Sequence, residues 1–355
     1  MKETKKIRSS KTGEKRVDSK EKPKRTAKKT SGTRPAAGRA AKTKPAAAPA
    51  YRAGTVALVG RPNAGKSTLL NALMGEKIAI ISDKPQTTRM NLLGIKTTDR
   101  HQIVFIDTPG IHKPLHALNK RMMSFVRSSL ETADVVCLLI DAAQAFGHGD
   151  AFVIEILGKV KTPVLLLINK VDAVRKDKVL PLIDRYKDLM NFREIVPISA
   201  LKGDNLAVLE NILTSLLPGG EKLYPEGSVS DQSERFFLSE IVREKILARV
   251  TQELPFATAV LIEGVEMKEG RDKKGQPRPV AHVRASIFVE KDNHRKIVIG
   301  RGGDLIKNVG IESRREMEEI LEAKVYLELQ VRVKPRWRDS RDVLDLIEGQ
   351  MANDP

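Results

Sequence analysis

The most constraining feature of the sequence is the segment GRPNAGKS at residues 60–67, which follows the apolar run TVALV and opens a stretch with helical periodicity. The segment fits the pattern G-x-x-x-x-G-K-[ST] in full, in the strand–loop–helix context that the pattern requires. In such a loop the glycines let backbone N–H groups wrap around phosphates, and the N-terminus of the following helix adds a favourable dipole. We therefore predict that the phosphates of a nucleotide are bound by Gly60, Asn63, Ala64, Gly65, Lys66, Ser67 and Thr68.

Two further segments, DTPG at residues 107–110 and KPQTTR at residues 84–89, supply the remaining groups of such a site. Asp107 follows an apolar strand and can hold Mg²⁺, usually through a water, while the Gly110 N–H can meet the γ-phosphate. A threonine in the second segment can complete the Mg²⁺ shell only when a γ-phosphate is present, which makes this loop a switch. Thr88 is favoured for that role and Thr87 is the alternative. The predicted switch I residues are Gln86, Thr87 and Thr88, and the predicted Mg²⁺ ligands are Ser67, Thr88 and Asp107.

The choice of base is predicted by NKVD at residues 169–172 and SAL at residues 199–201, each of which follows an apolar strand. The Asp172 carboxylate can accept two hydrogen bonds from the guanine N1–H and exocyclic amine. Adenine offers no such pair and would leave the carboxylate unpaired, which is costly, so an ATPase is disfavoured. The predicted guanine-binding residues are Asn169, Lys170, Asp172, Ser199, Ala200 and Leu201.

The organisation of the chain changes twice. Residues 1–53 hold 18 Lys and Arg against 4 acidic residues, so that +14 of the formal net charge of +18 lies there. With so little aliphatic bulk this extension is predicted to be disordered, and it is either a solubilising tail or a non-specific anchor on RNA phosphates. Over residues 54–218, apolar strands alternate with helical stretches, which predicts an α/β domain with a mostly parallel, doubly wound sheet.

A linker over residues 219–230 and a second domain over residues 231–338 are expected after this alternation, followed by a C-terminal tail over residues 339–355. The pattern of the second domain predicts a helix over 233–253, strands over 256–265, 280–290 and 324–333, an exposed loop over 268–279 and two short helices after Gly302. Trp337, in the basic segment KPRWR, is expected either to touch RNA or to pack against the domain.

A Gly-x-x-Gly turn at residues 300–303 lies between helical segments of this second domain. In a KH module such a turn lets a nucleotide backbone approach closely, and an apolar groove beside it takes the bases. Arg301 would supply a positive charge to a phosphate. The predicted RNA-binding residues are Gly300, Arg301, Gly302 and Gly303.

The segments GRPNAGKS and KPQTTR, together with the order of elements around the Gly-x-x-Gly turn, resemble the Era family of GTPases over residues 54 to about 338. The resemblance implies a P-loop GTPase domain followed by an α+β type II KH domain. It also implies a GTP-hydrolysing switch that binds small-subunit ribosomal RNA near its 3′ end and assists maturation of the small ribosomal subunit. A cytoplasmic monomer is expected, with peripheral association with the inner membrane surface as a candidate property. The alternative is a GTPase whose main partner is a protein or membrane surface, with the KH-like domain as adaptor.

Two residues near the phosphates set the expected rate. The residue after DTPG is Ile111 where familiar small GTPases have glutamine, and a hydrophobic side chain cannot orient the attacking water. The resemblance to GTPases with this replacement implies slow intrinsic hydrolysis. In relatives with this phosphate loop, a residue at the position of Asn63 can help to hold a potassium ion, which would add positive charge to the transition state. The expected cofactors are therefore Mg²⁺ and, as a second candidate, K⁺.

The single cysteine, Cys137, is expected to be an inert core residue.

Base choice provides the first test. Asp172→Asn should weaken GTP binding by about tenfold or more and improve binding of xanthosine triphosphate, because the exchanged amide complements the exchanged base edge. Titration of both nucleotides against both proteins measures the preference. A mutant that still prefers GTP as strongly as the wild type would exclude Asp172 as the guanine ligand.

Overall fold

The computed structural model describes residues 51–112, 115–271, 276 and 278–351. The predicted extension up to residue 50, the centre of the predicted loop over residues 268–279 and the last four residues of the predicted tail lie outside the described residues. The first strand begins at Arg52, so residues 52 and 53, which the sequence analysis placed in the extension, belong to the first sheet. Ala53 is buried there.

The first sheet has six strands: β1 (Arg52–Gly60), β2 (Leu92–Thr97), β3 (His101–Asp107), β4 (Val135–Asp141), β5 (Val164–Asn169) and β6 (Glu194–Pro197). Their order is β2-β3-β1-β4-β5-β6, and every pair is parallel except the antiparallel pair of β2 and β3. The helices that connect and cover them are α1 (Lys66–Met74), α2 (Ala117–Thr132), α3 (His148–Leu157), α4 (Val179–Lys187) and α5 (Leu206–Leu216). The predicted doubly wound sheet is confirmed.

Both faces of this sheet are buried, which explains the continuous apolar runs of its central strands. Alternate residues of β1 belong to two different hydrophobic clusters, one on each face: Val56 and Leu58 to one, Ala57 and Val59 to the other. Cys137 of β4 is fully buried, and burial raises the pKa of its thiol, in keeping with an inert core residue.

The C-terminal domain is formed by α6 (Glu234–Leu247), α7 (Leu254–Ala257), β7 (Ala259–Lys268), β8 (Val280–Val289), α8 (Asp292–Ile299), α9 (Asp304–Ile320) and β9 (Lys324–Val333). Its sheet has the order β7-β8-β9, in which β7 is antiparallel and β9 parallel to β8. Val325, Leu327 and Leu329 of β9 face the helices and pack in one cluster with residues of α6 and α9. The predicted α+β arrangement is confirmed.

Several predicted boundaries in this domain are wrong. The helix expected over residues 233–253 ends at Leu247, and the strand expected from Phe256 begins at Ala259. The intervening chain turns because Gln252 has a φ of 59°, in the left-handed region, and because Pro255 lies in the first turn of α7, where its missing N–H is tolerated. Phe256 therefore belongs to a helix.

The Gly-x-x-Gly turn lies between helices α8 and α9, as predicted. The prediction of two short helices after Gly302 is wrong, because the chain there forms one helix of 17 residues, α9. Gly310 lies within α9 without interrupting it, and an added Cβ there would be 3.6 Å from Leu329 Cδ1. The packing of the helix against β9 thus outweighs the low helix propensity of glycine.

The predicted linker is held against the first domain. The Gln102 side chain of β3 is fully buried and accepts hydrogen bonds from the backbone N–H groups of Leu223 and Tyr224 at 2.6 and 2.9 Å. The N–H of Ile95 in β2 donates to the Val229 carbonyl at 2.8 Å. The linker therefore follows one edge of the six-stranded sheet.

The segment predicted as a C-terminal tail contains a helix, α10 (Arg341–Gly349), that connects the two domains. Its Val343 and Leu344 are buried in one cluster with Trp337, with residues of α2 and with Phe288 of β8. Arg121 of α2 forms ion pairs with α10. Trp337 is fully buried and donates from its indole Nε1 to the Ala257 carbonyl at 2.9 Å, so of its two expected roles the structure shows packing.

Gln350, directly after α10, closes the edge of the smaller sheet. Its side-chain oxygen accepts from the Ile262 N–H at 2.6 Å, and its side-chain nitrogen donates to the Val260 carbonyl at 3.3 Å. Ser233, the N-cap of α6, donates to the Gln350 carbonyl. Part of the outer edge of β7 is thus paired with a side-chain amide. Among the described residues, no helix has the length and apolar character needed to cross a membrane.

The domain junction provides the second prediction. Trp337→Phe should lower the free energy of unfolding by about 2 kcal/mol, because it leaves the buried Ala257 carbonyl without its donor and opens a small cavity. The matched control is Tyr326→Phe, since Tyr326 is half-exposed on the same domain. Loss of its hydroxyl group should lower the free energy of unfolding by less than about 0.5 kcal/mol. Urea unfolding followed by circular dichroism compares them. Equal midpoints for the two variants would contradict the role assigned to Trp337.

Candidate functional site

The phosphate loop connects β1 to α1, and two of its glycines are required by close contacts. Gly60 has a φ of 153°, and a Cβ there would be 2.4 Å from the Leu139 carbonyl oxygen. Gly65 has a φ of 97°, and a Cβ there would be 2.2 Å from Nδ2 of Asn169. A side chain at either position would clash with these atoms and displace the phosphate loop.

Lys66 is the charged residue at the centre of the loop. Its side chain is buried, and its Nζ donates to the carbonyls of Arg61 at 3.2 Å and Gly60 at 3.5 Å. Burial lowers the pKa of Lys66, and the neighbouring Asp107 only partly offsets this effect. A buried ammonium with so few partners is well placed to gain from an anionic ligand.

Three oxygen atoms from separate segments meet beside this lysine. Ser67 Oγ lies 2.6 Å from Asp107 Oδ2, and Thr88 Oγ1 lies 2.9 Å from Ser67 Oγ and 3.0 Å from the same carboxylate oxygen. The other carboxylate oxygen, Oδ1, is buried and has no hydrogen-bond partner among the described residues. Burial raises the pKa of Asp107, opposed by Lys66 and by the hydroxyls of Ser67 and Thr88. An all-oxygen set with one incompletely satisfied carboxylate fits a hard cation such as Mg²⁺.

The structure separates the two adjacent threonines of switch I. Thr88 is buried in the oxygen cluster, whereas the Thr87 hydroxyl donates to the Lys84 carbonyl at 2.7 Å and is turned to its own loop. The geometry therefore favours Thr88, the preferred candidate. Gln86, with a φ of 61°, and Asn63, with a φ of 63°, also line the cleft above the phosphate loop. Asn63 Nδ2 donates to the Asp83 carbonyl at 2.6 Å and joins the phosphate loop to the residue just before the KPQTTR segment.

The segment after β3 closes tightly on the phosphate loop. A Cβ on Gly110 would be 2.8 Å from the backbone of Pro62, so only glycine allows this approach. The Ile111 N–H donates to the Gly60 carbonyl at 3.0 Å, and the Ile111 side chain is buried in the core. The side chain that replaces the usual glutamine therefore points into the protein.

Asn169 organises the end of the site where the base is expected. Its Nδ2 donates to the Ala64 carbonyl at 2.9 Å, and its Oδ1 accepts from the Ala200 N–H at 3.0 Å. One buried side chain thus joins the phosphate loop to the SAL segment. Ser199 Oγ donates to Asp172 Oδ1 at 2.6 Å, which orients that carboxylate. Leu201 is largely exposed.

Two acidic residues that the sequence analysis did not select hold site residues in place. Asp141, at the end of β4, pairs with Lys170 at 2.7 Å. Asp150, in the first turn of α3, pairs with Arg61 of the phosphate loop at 2.9 Å. Asp141 could have been found from its position at a strand end, whereas nothing local marks Asp150.

The Gly-x-x-Gly turn of the C-terminal domain lies between α8 and α9. Gly300, Gly302 and Gly303 have φ values of 80°, 62° and 83°. A Cβ on Gly300 would be 2.8 Å from Leu305, whereas Cβ atoms on Gly302 and Gly303 would meet no atom of the described residues within 4 Å. Gly300 is thus required by the turn itself, while Gly302 and Gly303 leave their backbone open. Arg301, between Gly300 and Gly302, is exposed.

An open groove lies along the N-terminal half of α9 and β9. Its lining includes the apolar residues Ile306, Ile311 and Leu329 and the basic residues Lys307 and Arg314, together with the acidic residues Glu266 and Glu328. Apolar side chains flanked by positive charge suit unstacked bases attached to a phosphate backbone. The apolar groove expected beside the glycine turn stays a prediction, and none of these lining residues was named from the sequence.

Comparisons with known proteins agree with both halves of this architecture. Residues 55–170 match a family described as "50S ribosome-binding GTPase", and residues 265–338 match a family described as "KH domain". Fold and site thus define a GTPase that carries a C-terminal KH domain.

Two solved structures of Era are similar to nearly the whole chain. One is Era in complex with MgGDPNP and nucleotides 1506–1542 of 16S ribosomal RNA, with 40% identity and a TM-score of 0.78, covering 84% of this chain and 98% of that one. The other is a tyrosine-to-alanine variant of Aquifex aeolicus Era bound to GDP·AlF4⁻, with 39% identity and a TM-score of 0.76, covering 83% of this chain and 98% of that one. The chain belongs to the Era family of GTPases.

The buried lysine provides the third prediction. GTP with Mg²⁺ at about 100 times its Kd should stabilise the wild type by about 2.7 kcal/mol, and Lys66→Ala should remove this gain without lowering the melting temperature of the free protein. The free protein should tolerate the change because it removes a buried, poorly paired charge. The matched control is Lys187→Ala on the surface of α4. A Lys66→Ala protein that GTP still stabilises as in the wild type would exclude Lys66 as a phosphate ligand.

Proposed function

We propose that this protein is a GTP-hydrolysing switch that binds small-subunit ribosomal RNA near its 3′ end through the KH domain and assists maturation of the small ribosomal subunit. The observation that carries the proposal is the joint presence of the oxygen cluster and the open glycine turn in a chain that is 40% identical to Era, solved with MgGDPNP and a segment of 16S ribosomal RNA. We assign the GTPase domain to residues 52–218 and the KH domain to residues 231–338.

In this assignment the phosphates of GTP lie over the loop of residues 60–68 and meet the Gly110 N–H. Lys66 gains the anionic partner that its buried position lacks. Asp172, held by Ser199, accepts hydrogen bonds from guanine, while the Asn169 side chain keeps the base and phosphate ends in register. Lys170, Ala200 and Leu201 complete the guanine end.

Ser67 and Thr88 would bind Mg²⁺ directly, and Asp107 would do so through a water. When bound, the ion neutralises charge that develops on the β- and γ-phosphates. Because Thr88 belongs to switch I, its hydroxyl is released when the γ-phosphate leaves. The buried Ile111 leaves the attacking water without a side-chain partner, so intrinsic turnover is slow. A potassium ion beside Asn63 would add positive charge there.

The KH domain binds a single strand of RNA at the turn of residues 300–303. The exposed backbone of Gly302 and Gly303 admits the RNA backbone, Arg301 pairs with a phosphate, and the groove along α9 takes the bases. We further propose a cytoplasmic monomer that associates peripherally with the inner membrane surface. The alternative is a GTPase whose main partner is a protein or membrane surface, with the KH domain as adaptor. The following test would favour this alternative if the protein showed no preference among RNAs.

The fourth prediction separates the basic extension from the KH domain. Deletion of residues 1–50 should weaken binding of all RNAs and flatten the salt dependence, because a segment dominated by lysine and arginine acts by counterion release. Gly302→Asp should instead erase the preference for a ribosomal 3′-end fragment over a scrambled one, since it adds bulk and negative charge beside a phosphate.

Competition assays at several salt concentrations measure both effects. The matched control is Gly227→Asp, a linker glycine with a φ of 84° and open space around it, which receives the same charge change outside the KH domain. A preference that survives in Gly302→Asp and disappears with the extension would show that the extension, and not the KH turn, reads the RNA.

A further inference from the structure

The KH domain holds switch I at Thr87. Arg243 of α6 is only 2% exposed, and one of its Nη atoms donates to the Thr87 carbonyl. The same guanidinium is oriented by Glu240, one turn earlier, through contacts of 2.7 and 2.5 Å. A buried arginine fixed by a carboxylate therefore has one of its donors directed at the backbone of the other domain.

Arg89, two residues after Thr87, is also held by the KH domain. It is buried, and its guanidinium donates to the carbonyls of Thr258 and Pro255, each at 2.9 Å, around α7. It also lies over the Trp337 ring, 5.5 Å from the ring centroid. Burial and the nearby Arg243 lower the pKa of Arg89 to about 9, so its guanidinium remains charged at neutral pH.

Thr88 lies between these two fixed points. Its hydroxyl is directed to the opposite side of the chain, toward Ser67 and Asp107. A movement of Thr87 or Arg89 would break a charge-assisted hydrogen bond to the KH domain, and such bonds are costly to break. The position of the hydroxyl is therefore set by the second domain as well as by the GTPase domain.

We propose that Arg243 is a positioning residue for the GTP-bound site, and that its hydrogen bond to the Thr87 carbonyl holds Thr88 where it can complete the Mg²⁺ shell. This inference rests on the proposed function and names the group of the KH domain that senses the nucleotide. GDP lacks the γ-phosphate that makes the threonine a ligand. Arg243 therefore distinguishes GTP from GDP without touching either.

The test compares nucleotide affinities of the full chain at a series of Mg²⁺ concentrations. Arg243→Ala should weaken binding of the non-hydrolysable analogue GDPNP by about tenfold, the value of one charge-assisted hydrogen bond, and should change GDP binding by less than about twofold. It should also raise the Mg²⁺ concentration needed for half-maximal GDPNP binding. Arg243→Lys keeps a donor near the carbonyl and should recover part of the loss.

The matched control is Arg249→Ala. Arg249 lies in the turn directly after α6 and pairs with Glu312 of α9, within the KH domain, so its loss should leave the ratio of GDPNP to GDP affinity unchanged. A double-mutant cycle with Thr88→Ala tests the connection directly: once Thr88 is alanine, Arg243→Ala should have no further effect on GDPNP binding.

Equal losses of GDP and GDPNP binding in Arg243→Ala would show a merely structural role and overturn the inference, as would unchanged binding of both or additivity in the cycle. Failure of the proposed function has a different signature. It would appear in the wild type, as absent GTP binding or absent preference for the ribosomal 3′-end fragment.

Discussion

Because helices cover both faces of the six-stranded sheet, its parallel strands can present polar groups to a ligand only where they end. β1 ends in the phosphate loop, β3 in Asp107, β4 in Asp141 and β5 in Asn169. The residues expected to contact phosphate, metal and base come from segments far apart in the chain. They lie close together because these parallel strands all end on the same side of the sheet. Asn169 then joins two of these loops through a single side chain.

The site that results is electrostatically unfavourable without a ligand. Burial lowers the pKa of the Lys66 ammonium and raises that of the Asp107 carboxyl, so both charged forms are disfavoured, and the attraction between them offsets only part of the cost. Within the described part of the chain, Asp107 also retains a carboxylate oxygen without a partner. A phosphate and a divalent cation bound as proposed would relieve these costs together. Stability given up in the free protein would then become binding energy for the complex.

Local sequence patterns could predict those parts of the molecule that depend on local chemistry. The phosphate loop, the strand-end motifs and the glycine turn each need particular residues at fixed spacing, and both sheets follow from apolar periodicity. Sequence favoured Thr88 but left Thr87 open as the alternative, because adjacent residues of a loop differ only in the direction that the tertiary structure gives them. The end of α6 was placed too late, since the apolar pattern continues past Leu247 and only the turn at Gln252 shows the break. Arg243 was missed because its partner, Thr87, lies 156 residues away in the chain.

The side-chain amide of Gln350 affects how the smaller sheet can pair with other polypeptide chains. A strand at the margin of a sheet carries free N–H and C=O groups, and any extended peptide of suitable length can pair with them. By imitating a peptide group at Val260 and Ile262, this side chain occupies the place where a foreign strand would begin to add. Gln350 lies beyond the residues matched by either family model. A residue outside both recognisable domains thus blocks this part of the sheet edge from pairing with another strand.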